Sequence, residues 1–281
     1  MNELTSSVLL DGLKFPECPR WRDGRLWFSD VQAHKIIAVT PDGKRETILE
    51  HDGLPAGLGW LPDGTLLFVS MVDRKLMCVV DGGVGVVADL SALEGVQLND
   101  MIVDAQGRAY IGGFGFDINR GDPPALSSVY VVSDEQASIA APDMRFPNGM
   151  VITPDGRTLI VAETTARCLT AFDIADDGGL SNRHTWAKLE TFPDGICLDA
   201  EGAVWVAAPA TGDCRRVLEG GEVTDVVRTP DKGVYACSLG GDDGRTLFLC
   251  TAKTSGPELV EGKSTGWLET APVNVPWGGS P

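Results

Sequence analysis

Histidine is scarce in this chain. There are three, His34, His51 and His184, and they fall on stretches read as outer strands and loops. That spacing gives little support to a serine triad or a histidine-dyad hydrolase, and Ser70, Ser127 and Ser128 sit in no nucleophile-elbow motif. Positive charge is also short: 23 Lys and Arg stand against 40 Asp and Glu, a formal net charge of -17. Nucleic acid and anionic membrane surfaces need a basic face, so both are disfavoured as partners. No apolar run is long enough to span a bilayer. Met1 to Leu10 lacks the basic stretch of a signal peptide and contains Glu3. The seven cysteines are odd in number and lack zinc-type CxxC spacing, which fits reduced structural thiols in a cytoplasmic protein. Long segments of helical periodicity are missing too, whereas 34 Gly and 17 Pro suit an all-β chain rich in turns.

What is present is a repeat. Six times an acidic or amide residue plus glycine opens a short apolar run: Asp23-Gly24, Asp63-Gly64, Gln106-Gly107, Asp155-Gly156, Glu201-Gly202 and Asp243-Gly244. The runs that follow include Leu66 to Val69, Leu159 to Val161 and Val204 to Val206. Successive glycines are 40, 43, 49, 46 and 42 residues apart. A period of this length signals stacked or radially arranged units. Each unit reads as four short strands, with turns at Pro41-Asp42-Gly43, Asp81-Gly82-Gly83 and Gly220-Gly221 joining further pairs. The expected fold is therefore a single six-bladed β-propeller over residues 1–281, with four-stranded antiparallel blades around a central channel. Ser7 to Leu13 is expected to pair into the last blade, because closure removes open sheet edges.

The units differ most at one position. Four residues before Trp21, Trp60, Val103, Ile152, Leu198 and Gly240 stand Glu17, Ala56, Asn99, Asn148, Asp194 and Ala236. In a propeller this is where the innermost strand of each blade begins, so the six converge on the channel axis. Four of them carry a side-chain oxygen. Such a set suits a hard divalent cation, calcium first, since calcium takes oxygen ligands and completes its shell with water or substrate. Turn chemistry is the competing explanation, because Asn and Asp beside Pro and Gly are ordinary turn residues.

With these residues laid out, the chain resembles the gluconolactonase, senescence marker protein (regucalcin) and luciferin-regenerating enzyme family. The matching stretches are Phe15-Pro16-Glu17-Cys18-Pro19-Arg20-Trp21, Leu98-Asn99-Asp100, Phe146-Pro147-Asn148-Gly149-Met150 and Phe192-Pro193-Asp194-Gly195-Ile196. The resemblance implies a six-bladed propeller with one divalent cation in its channel, Ca2+ foremost, with Zn2+, Mn2+ and Mg2+ as alternatives. It implies Glu17, Asn148 and Asp194 as metal ligands, with Asn99 at the metal directly or through substrate and water. It also implies hydrolysis of a small lactone, with Asp194 acting as general base or as nucleophile. Family members acting on sugar lactones often carry Arg two residues before the blade-three Asn. Here that substrate-binding position is Gln97, a neutral amide that cannot make the same ionic contact.

Other residues invite weaker expectations. The segment from Gly112 to Ser128 holds Phe114, Phe116, Asp117, Asn119 and Arg120, and its two phenylalanines suit an apolar pocket mouth or plain packing. Met71 and Asp73 are placed within reach of the channel mouth, with Met71 suited to packing; Asp100 reads as turn chemistry or as a residue supporting Asn99 from behind, the former favoured, and Cys18 as a buried inert thiol. Two other functions compete with a lactonase: hydrolysis of organophosphate-type esters at the same quartet, and a non-catalytic propeller that binds calcium or a protein.

Overall fold

The computed structural model describes residues 1–80, 82–117 and 120–279, so Asp81 and Asn119 lie outside the described residues. Six sheets, each built from four consecutive antiparallel strands or closed by an N-terminal one, form a six-bladed β-propeller. Blade one shows the pattern: Pro16–Arg22, Arg25–Asp30, Lys35–Val39 and Arg45–Glu50 run from the channel outwards. The innermost strands of the other blades are Pro55–Trp60, Gln97–Val103, Pro147–Ile152, Ile196–Leu198 and Gly233–Gly240.

The repeat has a local cause. All six repeat glycines adopt a left-handed backbone, with φ between 70° and 89°. An L side chain is strained there, which is why glycine recurs at the hairpin tip. The preceding acidic side chain often closes the turn: Asp63, Asp155 and Asp243 each accept the N–H two residues on, at 2.9, 3.1 and 2.9 Å. After the turn, the second strand of each blade is buried on both faces, because neighbouring blades cover it. Leu66–Ser70 and Val204–Ala208 are buried at every residue, and so read as continuous apolar runs instead of alternating ones.

Six of the core clusters lie one at each junction between neighbouring blades, and a seventh, Phe15, Val31 and Ala252, lies at the end of the channel. Ile36, Leu58 and Phe68 join blades one and two; Leu67, Met101 and Tyr130 join two and three. Tyr110, Ile152 and Leu159 follow, then Ile160, Leu198 and Val204, then Trp205, Leu239 and Leu249. The last junction cluster, with Leu26, Phe28, Phe248 and Leu268, joins blade six to blade one. Among the described residues the only α-helix is the short Gly256–Val260, inside blade six, and no helix is long and apolar enough to cross a membrane.

The N-terminal segment fastens two blades. Asn2–Thr5 lies parallel to Val223–Arg228 as a fifth strand of blade five. Ser7–Leu13 then pairs antiparallel with Thr265–Pro272 as the outer strand of blade six. Buried Glu269 sits at this junction. It accepts hydrogen bonds from Ser6 Oγ at 2.6 Å and Thr251 Oγ1 at 2.9 Å, and pairs with Lys232.

Near the axis the inner strands approach closely, and glycine permits it. A Cβ at Gly57 would lie 2.5 Å from Met101 N, at Gly149 2.5 Å from Ile196 N, and at Gly195 2.6 Å from Ala236 Cβ. This accounts for glycine following the variable position in blades two, four and five.

Two outcomes are expected. Gly149→Ala should destabilise the protein by about 1–3 kcal/mol through overpacking; an unchanged urea midpoint would contradict the close approach. Burial opposes ionisation of Glu269, yet its Lys232, Ser6 and Thr251 partners outweigh this and hold its carboxyl below the usual value. A depressed carboxylate stabilises the fold above the unfolded value of about 4.3 and loses that contribution as the pH falls through the folded one. Glu269→Gln should therefore lose about 1.5–3 kcal/mol at neutral pH and converge with the parent in acid. A stability difference that persists unchanged below pH ~3 would sink this account.

Candidate functional site

The bulges in the inner strands build the site. Pairing with the second strand shifts register between Glu17 and Arg20, Pro55 and Leu58, Leu98 and Met101, and Pro147 and Met150. A bulge releases residues from the ladder and re-aims their side chains. Here it does so at the same place in four blades. Asp194 reaches the equivalent point just before its strand, with its N–H bonded to Ala207 O at 3.0 Å and its carbonyl accepting from Gly149 N at 3.3 Å.

Glu17, Asn99, Asn148 and Asp194 line one cavity of about 600 Å³ at the end of the channel where the inner strands begin, and Gln97 lines it too. Asn99 Nδ2 donates to Asn148 Oδ1 at 3.0 Å. Asn148 Nδ2 donates in turn to Thr164 Oγ1 at 3.2 Å, and that hydroxyl donates to Pro193 O at 2.8 Å. Thr164 thereby fixes which way the Asn148 amide points. Asn148 Oδ1 keeps a second lone pair for another partner.

The electrostatics are unfavourable for the protein alone. Burial, then the charges of Asp194 and Asp100, push Glu17 well above the usual carboxylate range, against the Cys18 N–H and Arg20. Burial pushes Asp194 up to about 8, with the Asn148 hydrogen bond opposing and Asp100 adding. Tyr235 on the same wall rises to about 12, through burial first and then Asp194 and Glu17. Two desolvated carboxylates in one cavity that no Lys or Arg among the described residues lines are what a divalent cation would relieve. The donor set is all oxygen, which suits a hard ion. Among the described residues no three His, Cys, Asp or Glu side chains gather as a metal cluster; half of this quartet is amide.

Some residues differ from the sequence reading. Asp100 is no turn residue: it is buried on the inner strand of blade three and pairs with Arg20 at 2.8 Å. Arg20 also donates to Met101 O and lines a second cavity of about 200 Å³ further along the channel. Of the three histidines only His184 is exposed. His34 lines the main cavity, and its Nδ1 is buried without a hydrogen-bond partner. His51 Nε2 lies 2.9 Å from Ser70 Oγ, which donates to Asp73 Oδ2 at 2.7 Å. Ser70 is fully buried, so this trio is structural and Asp73 belongs to it, away from the main cavity. His184 is exposed, and Cys18 is a buried thiol raised by burial. Met71 and Phe114 line the cavity, while Phe116 packs edge-on against Phe114 and Phe146.

Residues that the repeat did not single out complete the walls: Phe15, Val31, Gln32, Leu54, Tyr235 and Leu259. Phe15 and Phe146 had a signal, since each precedes the Pro of a matched stretch. Phe192 occupies the same place in blade five yet is exposed, with the Arg167 guanidinium 4.1 Å from its ring centre.

Comparison with known proteins agrees with this architecture. The chain is 26% identical over 289 residues to a 6-deoxy-6-sulfogluconolactonase of Pseudomonas putida, covering 98% of this chain and 97% of that one. It is 27% identical to regucalcin of Danio rerio, over 84% of this chain and 82% of the other. A solved structure of a regucalcin from Agrobacterium tumefaciens, described as a calcium-binding protein, superposes with a TM-score of 0.83. At 20% identity, over 99% and 97% of the two chains, that likeness speaks for the fold. The family model for the SMP-30/Gluconolactonase/LRE-like region matches residues 15–253, and the chain belongs to that family.

Proposed function

We propose that this protein is a lactonase that works with one divalent cation, calcium foremost, held by Glu17, Asn148 and Asp194 with Asn99 at its edge. The observation that carries the reading is the meeting of two desolvated carboxylates and two amides at one end of a single cavity. Relatives named as lactonases point to the same reaction class. A cation bound there would polarise a lactone carbonyl and keep both carboxylates ionised.

The chain's own residues divide the remaining work. Asp194 takes a proton from the attacking water, a role open to an ionised carboxylate at the cation's edge. Glu17 supplies fixed charge beside it. Asn148, oriented by Thr164, and Asn99, tied to Asn148, position the substrate without adding charge. Gln97 and the apolar walls hold the body of the lactone. The Arg20–Asp100 pair lies behind the quartet, and its positive charge partly offsets the acidic group.

Chelation should abolish lactone hydrolysis, and added Ca2+ should restore it. Asp194→Asn should lower kcat by about 10²–10⁴-fold, the range of general-base catalysis. If chelation shifts only the melting temperature, and neither the parent nor the variant hydrolyses a lactone, the protein is a non-catalytic cation binder. Single-turnover hydrolysis in heavy-oxygen water separates the two roles open to Asp194: label enters the first product if water attacks directly. Label found in Asp194 instead would make that side chain the nucleophile.

A further inference from the structure

We infer that the substrate is a neutral lactone with an apolar body, alkyl or aryl, in place of a polyhydroxylated or anionic sugar lactone; this rests on the lactonase reading above. Beyond the quartet, the cavity lining is dominated by Phe15, Leu54, Met71, Phe114, Phe146 and Tyr235. Its aromatic rings are locked against one another. Phe114 and Phe146 have centroids 4.4 Å apart, and Phe15 meets Tyr235 edge-on at 4.7 Å. Such a surface gains by covering hydrocarbon, at about 25 cal/mol per Å² of apolar area removed from water. Apart from the Tyr235 hydroxyl it offers a sugar hydroxyl no partner, and each hydroxyl buried there unsatisfied costs about 1–3 kcal/mol.

Polar groups outside the quartet are few. Gln97, Gln32, His34 and the Tyr235 hydroxyl line the cavity, with Glu261 at the helix Gly256–Val260. The Gln32 amide N–H is already donated to Leu259 O at 2.6 Å. Gln32 Oε1 and His34 Nδ1 are buried without a partner, which leaves room for one hydrogen-bonding substituent on an otherwise apolar ligand.

Charge points the same way. Among the described residues lining the cavity there is no Lys or Arg, while Glu17, Asp194 and Glu261 are acidic. A sulfonate or phosphate on the lactone would face carboxylates with no guanidinium or ammonium to receive it. Recognition of such groups normally falls to Arg or Lys. Gln97 stands where a cation would serve.

The test uses the full chain loaded with Ca2+ and three probes: δ-nonanolactone, glucono-δ-lactone and a phosphorylated gluconolactone, followed with a pH indicator. The alkyl lactone should have the highest kcat/KM, by at least about tenfold, the scale on which a few apolar contacts discriminate. Phe114→Ser should narrow that preference through KM. Gln97→Arg should raise turnover of the phosphorylated lactone relative to δ-nonanolactone. The wild-type comparison stands even if either variant fails to fold. Gluconolactone turned over as well as, or better than, the alkyl lactone would overturn the substrate class and leave the lactonase reading intact. No hydrolysis of any probe, with calcium, zinc or manganese, would overturn both.

Discussion

Drawing the Glu17 and Asp194 carboxylates out of bulk water into one cavity is unfavourable for the isolated chain, and much of the surrounding structure answers that cost. Burial raises both groups, and Asp100 behind them adds a third negative charge. Arg20 faces Asp100 and so takes up one charge from behind. At blades three and four, where further carboxylates would make matters worse, the chain places Asn99 and Asn148, which supply oxygen without charge. At blades two and six the positions hold Ala56 and Ala236, both buried, so the ring of six is polar on four sides only.

The scaffold sustains this arrangement because the inner strands are held rigidly at the axis. Buried groups can keep unfavourable ionisation only where the backbone cannot relax away from it. The glycines at 57, 149 and 195 bring neighbouring strands into contact, and Thr164 stops the Asn148 amide from turning. Interblade clusters surround the ring on every side, so opening the axis at one blade would expose apolar surface at two junctions.

The blade count was legible because the fold needs a left-handed residue at each hairpin tip and a doubly covered strand after it; both leave marks in the sequence. The quartet was legible because those marks align the blades, so one differing position stood out. Other features left no such trace. Asp100 follows an Asn beside turn-like residues, and only a bulge on a strand, with Arg20 on a neighbouring blade, reveals its ion pair. Gln32 and His34 come from a short turn between the second and third strands of blade one, where no repeat position flags them. His51 and Ser70 belong to different blades and meet only through tertiary contact. The aromatic wall draws on blades one, three, four and six, which no local pattern connects.

The N-terminal fastening has a consequence for how the chain assembles. Ser6 bonds to Glu269, and Ser7–Leu13 pairs with Thr265–Pro272, so each waits for a partner more than 250 residues later. Until then a bare strand edge travels with the nascent chain, open to pairing with the wrong neighbour. Contacts that span almost the whole sequence are reached slowly. Blade six gains its outer strand only once Thr265–Pro272 is in place to receive it.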